Sequence, residues 1–409
     1  MSKLAIKGGK ALIEKPCPSW PQAGLGEAKQ LKKVLYSGKW GVLGPEVTEF
    51  TKRYAAYCDA KYAVASSNGT ISLELILRSL NIGRGDEVII PPYTFVATAS
   101  AVTFVGAVPV FADIDENTYN LDPQSIEEQI TTNTRAIIAV HIGGRPCDMD
   151  EILKIARKHG LYVIEDAAQA HGSEWKGKRV GAIGDAGAFS FQASKNLSCG
   201  EGGAVTTNQE DLFHIVWSIH HCGREHGNHS GYNHPILGTD ARMSEWQAAI
   251  LNEQLNRLDK DTEKRMVNAK YLTARLQELE FIETLYDDPR ITRDSYHLYI
   301  FKYKKERCKG LHRDLFIKAL MAEGLEKCAT GYSLPIYRME FLNTEAFKKT
   351  TGSTISYKDI SRPVNDLAAY EEGAWLYHAV LLGEKEDMDA IVDAMIKIYE
   401  NADELILSS

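Results

Sequence analysis

The sequence lacks any apolar run approaching the ~20 residues of a membrane-spanning helix. It also lacks a CxxC pair. Its seven cysteines are scattered and odd in number, which argues against a disulfide framework and for a reducing cytoplasm. Positive charge is not in excess: 47 Lys+Arg against 55 Asp+Glu give a formal net charge of −8, which speaks against a broad nucleic-acid surface. No long apolar segment follows Met1, because Gly8-Gly9 interrupts the start, so no signal peptide is expected. Neither GxxxxGK[ST] nor GxGxxG occurs, which disfavours a triphosphate P-loop and a nicotinamide oxidoreductase. What is present is an ordinary globular composition over 409 residues, 44% hydrophobic and 25% charged, long enough for two or three domains.

Between residues 60 and 220, β-rich apolar runs alternate with helical patterns. Strands are expected at 62–65, 87–90, 108–111, 135–140 and 161–164, and helices at 70–80, 94–105, 123–130 and 149–159. Such alternation predicts an α/β domain with a mostly parallel sheet covered by helices. Ligands of such sheets lie beyond the C-terminal strand ends, which marks 66–70, 92–95, 141–144 and 166–169. Two short β-like runs follow at 186–191 and 204–207, then an irregular stretch at 220–240 and a long helix from 244 to 279. The division is expected as a large domain with an N-terminal arm at 1–259 and a smaller α+β domain at 260–409.

Several residues at these strand ends carry chemistry. Lys195 lies between an apolar strand and the turn Cys199-Gly200-Glu201-Gly202-Gly203. Burial lowers a lysine's pKa, and a neutral amine can form a Schiff base; a surface lysine is the competing reading. Asp166 ends a strand, where a carboxylate can pair with a protonated pyridine nitrogen or can simply cap a helix. Ser66-Ser67-Asn68-Gly69-Thr70 opens a helix and suits a single phosphate, or an ordinary capped turn. Phe95 can stack on a planar ring or pack in the core.

Together these segments resemble the DegT/DnrJ/EryC1/StrS family of sugar aminotransferases, which have the aspartate aminotransferase fold (fold type I). The likeness runs from about residue 18 to 383. It is carried by Ser67-Asn68-Gly69-Thr70, Gly85-Asp86-Glu87-Val88-Ile89-Ile90-Pro91, Glu165-Asp166-Ala167-Ala168-Gln169, and Phe189-Ser190-Phe191-Gln192 followed by Lys195-Asn196 and Gly200-Glu201-Gly202-Gly203. The resemblance implies pyridoxal 5′-phosphate as cofactor. Lys195 would be its covalent anchor and the general acid/base, and Asp166 the partner of the ring nitrogen. Gln169 would meet the phenolic oxygen and Phe95 the ring face, with Asn68, Gly69, Thr70 and Ser190 around the phosphate. The family's phosphate usually also meets an asparagine of the other subunit, just before an Arg-Met-Ser-like stretch. That position here is Asp240, which lacks an amide donor and repels a phosphate dianion. A homodimer with shared active sites is implied.

The closest similarity is to cyclitol and 3-amino-5-hydroxybenzoate branches, through Pro18-Ser19-Trp20-Pro21, Cys222-Gly223-Arg224 and Trp375-Leu376-Tyr377-His378. It implies a keto-sugar or keto-cyclitol acceptor and L-glutamine or L-glutamate as donor, with no nucleic acid or membrane partner. A lyase- or dehydratase-type relative and a catalytically silent regulator are the alternatives. Arg224, Arg242 and His378 are candidate substrate contacts, and equally candidate structural groups. Six of the 12 histidines (His214, His220, His221, His226, His229 and His234) cluster without a metal-ligand spacing, so a loop over the active site or a subunit interface is expected and no metal.

Overall fold

The structure, a computed structural model, describes residues 3–41, 44–227 and 232–407. The large sheet has seven strands: β1 (Tyr62–Ser66), β2 (Glu87–Ile90), β3 (Val108–Phe111), β4 (Thr134–Val140), β5 (Tyr162–Asp166), β8 (Ala186–Ser190) and β9 (Gly203–Thr207), in the order β1-β9-β8-β5-β4-β2-β3. Pairs β2–β3, β2–β4, β4–β5 and β5–β8 are parallel, whereas β9 runs antiparallel to both β8 and β1. The strand period of two sorts side chains between the two faces. Val88, Ile90, Ala136, Ile138 and Val140 join Leu73, Ile76, Ala99 and Val102 on one side. Ile89, Ile137 and Ala139 join Met149, Ile152 and Ile155 on the other. Both faces are therefore covered, which is why the central strands read as unbroken apolar runs.

The helices that position the site are α1 (Leu25–Ser37), α2 (Pro45–Tyr57), α3 (Gly69–Ser79) and α4 (Ala97–Phe104). The last begins three residues later than the sequence pattern suggests. Residues 94–96 instead form a turn in which the Thr98 N–H bonds the Phe95 carbonyl at 3.2 Å, and this turn delivers Thr94 and Phe95 to the strand-end cavity.

A second, antiparallel sheet is built from β10 (Ile282–Thr284), β12 (Leu298–Tyr303), β13 (Cys328–Ala329) and β14 (Gly373–Tyr377), ordered β10-β12-β14-β13. A small three-stranded sheet joins β6 (Glu174–Trp175), β7 (Lys178–Arg179) and β11 (Ile291–Arg293). The 32-residue helix Glu245–Leu276 spans both cores: Ala248, Leu251 and Leu258 pack with Phe50 and Tyr54, and Ala269, Leu272 and Leu276 pack under the antiparallel sheet. Traffic also runs the other way. Leu4 of the N-terminal arm sits in the second core, while Ile336, Tyr337, Phe347 and Tyr357 return to the first. No helix among the described residues is long and apolar enough to cross a membrane.

Candidate active site

A cavity of about 800 Å³ opens beyond the C-terminal ends of the parallel strands. Asn68, Gly69, Thr70, Phe95, Asp166, Gln169, Ser190 and Lys195 all line it, so the fold gathers eight of the residues singled out in the sequence at one place.

Asp166 ends β5 at the floor and is 7% exposed. Thr98 Oγ1 donates to its Oδ2 at 2.9 Å, and the Ala168 N–H to its Oδ1 at 3.3 Å. Burial pushes its carboxyl above the ordinary value; the Thr98 hydroxyl, the Ala168 N–H and the nearby Lys195 pull it part of the way back. Burial likewise lowers the Lys195 amine to about 8, against the opposing pull of Asp166. A buried carboxyl and a lysine whose pKa is well below its ordinary value thus share one cavity.

At the phosphate end, Asn68 caps α3, its Oδ1 accepting the Ile71 N–H at 2.9 Å. Gly69 and Thr70 follow as the first helical residues, whose N–H groups have no intrahelical partner and suit an anion. Gly69 packs against Ser190: a Cβ there would lie 2.7 Å from the Ser190 Cβ. Ser190 is fixed from behind. His171 Nε2–H donates to its carbonyl at 2.8 Å, and the Tyr54 hydroxyl bonds His171 Nδ1 at 2.8 Å. Burial lowers His171 to about 3, so this wedge stays neutral beside an anion site.

Phe95 is 58% exposed, so its ring faces the cavity rather than the core. Gln169 Oε1 accepts the Gly143 N–H at 2.8 Å and its Nε2 donates to the Tyr332 hydroxyl at 3.1 Å.

Part of the wall has no local mark in the sequence. His297, Tyr332, Trp375 and Tyr377 arrive from the far side of the chain. The Asn196 amide donates to the Ser295 carbonyl at 2.8 Å, which turns its oxygen toward His297 Nδ1 at 3.0 Å and places the imidazole proton on that nitrogen. Burial, with help from Lys195, holds His297 well below its ordinary pKa.

Four candidates lie outside this lining. His378 is 2% exposed and its Nε2–H donates to the Ser194 carbonyl at 3.0 Å, so it holds backbone rather than facing the cavity. Arg242 chelates Asp240 through two bonds of 2.8 and 2.6 Å, and the guanidinium holds the Asp240 carboxyl below its usual range. Arg242 borders a separate cavity of about 330 Å³ with His220, His221 and His226. The Arg224 carbonyl accepts the Ser218 hydroxyl at 2.6 Å, and its buried Nε has no hydrogen-bond partner among the described residues. His214 and His226 pack ring against ring at 4.9 Å, and no group of three metal-ligating side chains occurs among the described residues; His229 lies outside them.

Sheet order, strand-end cavity and the convergence of Lys195 and Asp166 on that cavity define a fold type I aminotransferase dependent on pyridoxal phosphate. The chain belongs to the DegT/DnrJ/EryC1/StrS aminotransferase family, which it matches over residues 22–381. It is 38% identical over 407 residues, 98% of this chain and 97% of the relative, to a Micromonospora echinospora protein provisionally named L-glutamine:3-amino-2,3-dideoxy-scyllo-inosose aminotransferase. It is 35% identical over 431 residues, 99% of both chains, to the L-glutamine:2-deoxy-scyllo-inosose aminotransferase of Streptomyces fradiae. The crystal structure of 3-amino-5-hydroxybenzoic acid synthase superposes with a TM-score of 0.85 at 33% identity, covering 95% of this chain and 99% of that one.

The residues present fit the cofactor. Gly69 lets the start of α3 pack closely on Ser190, where a Cβ would collide, the α3 N-terminus suits a phosphate, and an exposed aromatic ring and a buried carboxylate line the same cavity.

Proposed function

We propose that the chain moves the amino group of L-glutamine to the carbonyl carbon of a keto-cyclitol. The observation that carries this reading is the charge of the cavity wall. Among the described residues of one subunit, its charged side chains are Lys195, Asp166 and Glu201, with no arginine and no second lysine. A nucleotide-linked sugar would bring a diphosphate that calls for cationic, preferably forked, partners. A polyol ketone asks instead for neutral donors and acceptors, and Tyr332, Gln192, Ser194 and His297 are of that kind. The relatives named for L-glutamine and inososes support both donor and acceptor.

The bound cofactor supplies an electron sink that acidifies the carbon bearing the transferred nitrogen. This chain's residues do the rest. Asp166 would hold the ring's pyridine nitrogen in its charged state, with Thr98 and the Ala168 N–H fixing that carboxylate, and Phe95 would cover the ring face. Asn68, Gly69, Thr70 and Ser190 would hold the phosphate, and Gln169 would reach the phenolic oxygen. Lys195 would anchor the cofactor covalently and, once displaced by the donor's nitrogen, its amine would carry the proton between the donor carbon and the cofactor carbon bonded to that same nitrogen. Acceptor amination reverses these transfers.

The working unit is a homodimer with shared active sites. Phe95 and Phe104, both in the cavity wall, are 58% and 64% exposed in one subunit, an apolar side that calls for a cover. Asp240 and Arg242 would approach the phosphate of the partner's site. Seven free cysteines suit a reducing compartment.

The test is to supply the purified holoenzyme with L-glutamine and, separately, 2-deoxy-scyllo-inosose and a nucleotide-linked keto-sugar, and to follow amino products by mass spectrometry. The cyclitol amine is expected. Amination of the nucleotide sugar alone would overturn the acceptor assignment, and consumption of acceptor without nitrogen incorporation would favour the lyase-type alternative.

A further inference from the structure

Lys195 lies in the loop between β8 and β9, beyond the reach of either strand's ladder. Its own N–H is used locally, donating to the Gln192 carbonyl at 2.8 Å. The carbonyls on either side of it are taken by two side chains from remote parts of the chain. Trp20 Nε1–H donates to the Lys195 carbonyl at 3.1 Å. His378 Nε2–H donates to the Ser194 carbonyl at 3.0 Å. The two rings also meet, with centroids 4.5 Å apart and planes at 89°, so each braces the other. Trp20 belongs to the N-terminal arm, and His378 follows β14 of the antiparallel sheet. The next residue, Asn196, is tied to Ser295 and His297 as described above. Three consecutive residues around the reactive lysine are therefore held from outside their own sheet.

His378 carries a further sign of purpose. It is almost fully buried, yet its Nδ1 has no hydrogen-bond partner among the described residues. A buried lone pair without a partner is destabilising, and an apolar ring of similar size would avoid it. What the imidazole contributes in exchange is the Nε2–H on the Ser194 carbonyl.

We propose that Trp20 and His378 form a clamp on the backbone of residues 194–195 that positions the Lys195 amine for proton transfer. Both are positioning residues; neither is placed against cofactor or substrate. The inference rests on Lys195 being the acid/base of the proposed reaction. The physical need is clear: a lysine side chain has four flexible methylenes, and an ångström of error at its root is enough to lose about 100-fold in rate.

The test uses Trp20→Phe, His378→Phe and His378→Gln in the full-length holoenzyme. Trp20→Phe keeps a ring against His378 and deletes only the donor. His378→Gln keeps an N–H donor. Trp20→Phe and His378→Phe are expected to lower kcat about ten-fold or more, with the acceptor KM within about two-fold. His378→Gln is expected to recover most of that loss. In the cofactor-free full-length chain, the pH dependence of Lys195 acylation, read by peptide mass spectrometry, should move upward in the two phenylalanine variants, because a loosened loop admits water to the amine. Folded Phe variants with wild-type kcat and an unmoved acylation profile would overturn the clamp, as would His378→Gln behaving like His378→Phe. If His378→Phe fails to fold, Trp20→Phe decides. Turnover surviving in Lys195→Ala would instead sink the role of the lysine itself.

Discussion

The Thr98 hydroxyl donates to Oδ2 of Asp166 at 2.9 Å, across the boundary between α4 and β5. Thr94 Oγ1 lies 3.1 Å from the same hydroxyl and extends the chain. The turn that opens α4 therefore does two things at once: it presents Phe95 to the cavity and, one helical turn on, steadies the carboxylate beneath it. Asp166 sits where an isolated charge is unfavourable, and the two donors are what allow it to remain an anion.

Thr98→Val keeps shape and deletes the donor. Asp166 already titrates above its ordinary value through burial, and Thr98 is the largest group opposing that. Losing it raises the carboxyl further, so the acid limb of the kcat/KM profile should move to higher pH. The expected loss at neutral pH is about 1–3 kcal/mol, the usual consequence of leaving a buried charged group one bond short. Superimposable pH profiles for Thr98→Val and wild type would refute the role.

Lys195 gives a prediction about stability. Its amine titrates near 8 in the folded, cofactor-free chain and near 10.5 when unfolded. Between those values the unfolded state binds the extra proton, so this group makes stability rise with pH across the window, and below about 8 it works against folding. Lys195→Met removes the group. At pH 7 the cofactor-free Lys195→Met protein should resist urea better than cofactor-free wild type, and the difference should shrink toward pH 10. A variant less stable than wild type at pH 7 would contradict the burial argument.

Much of this site could be read from the sequence because it is local. A strand end followed by a turn and a helix is written in consecutive residues, so Gly69, Thr70, Phe95, Asp166 and Gln169 fell out of the alternation and the resemblance. Long-range packing leaves no such trace. Nothing in the sequence around His297 or Tyr332 says that the antiparallel sheet folds back over the parallel one. For the same reason His378 reads as a substrate contact, although it faces the backbone of Ser194. Thr94–Val96 are compatible with helix in sequence, yet α4 starts at Ala97 and the turn before it brings Phe95 to the cavity.

Asp240 carries a charge prediction. Arg242 grips both carboxylate oxygens and holds the group ionised, so the pair presents little net charge to an approaching phosphate. Asp240→Asn cancels the negative partner and frees the guanidinium. Cofactor affinity, measured by fluorescence on reconstitution, should tighten by about two- to ten-fold, whereas Arg242→Ala should weaken it by exposing an uncompensated aspartate. Because exposed pairs are weak in themselves, neither change should move thermal stability by more than about 1 kcal/mol. Equal affinities in all three proteins would place the pair away from the phosphate of either subunit.

Gly69→Ala asks whether close packing between α3 and the end of β8 is what makes the phosphate seat. A Cβ at this position would stand 2.7 Å from the Ser190 Cβ and 3.3 Å from its Cα. The first contact is with a side chain rooted at the backbone, which cannot swing aside, so α3 itself has to shift. That shift carries the open N–H groups of the first helical turn away from the anion they would hold, while leaving Asp166, Thr98 and Lys195 untouched on other elements. The expected signature is a split. Cofactor affinity falls by about ten-fold or more, equivalent to about 1.4 kcal/mol, while kcat at saturating cofactor stays within about three-fold. Thr70→Val, which removes a hydroxyl without moving the helix, should weaken cofactor binding less. A Gly69→Ala enzyme that retains cofactor as tightly as wild type would show that the helix end can yield without disturbing the seat, and a parallel fall in kcat would mean that the shift reaches the reacting groups.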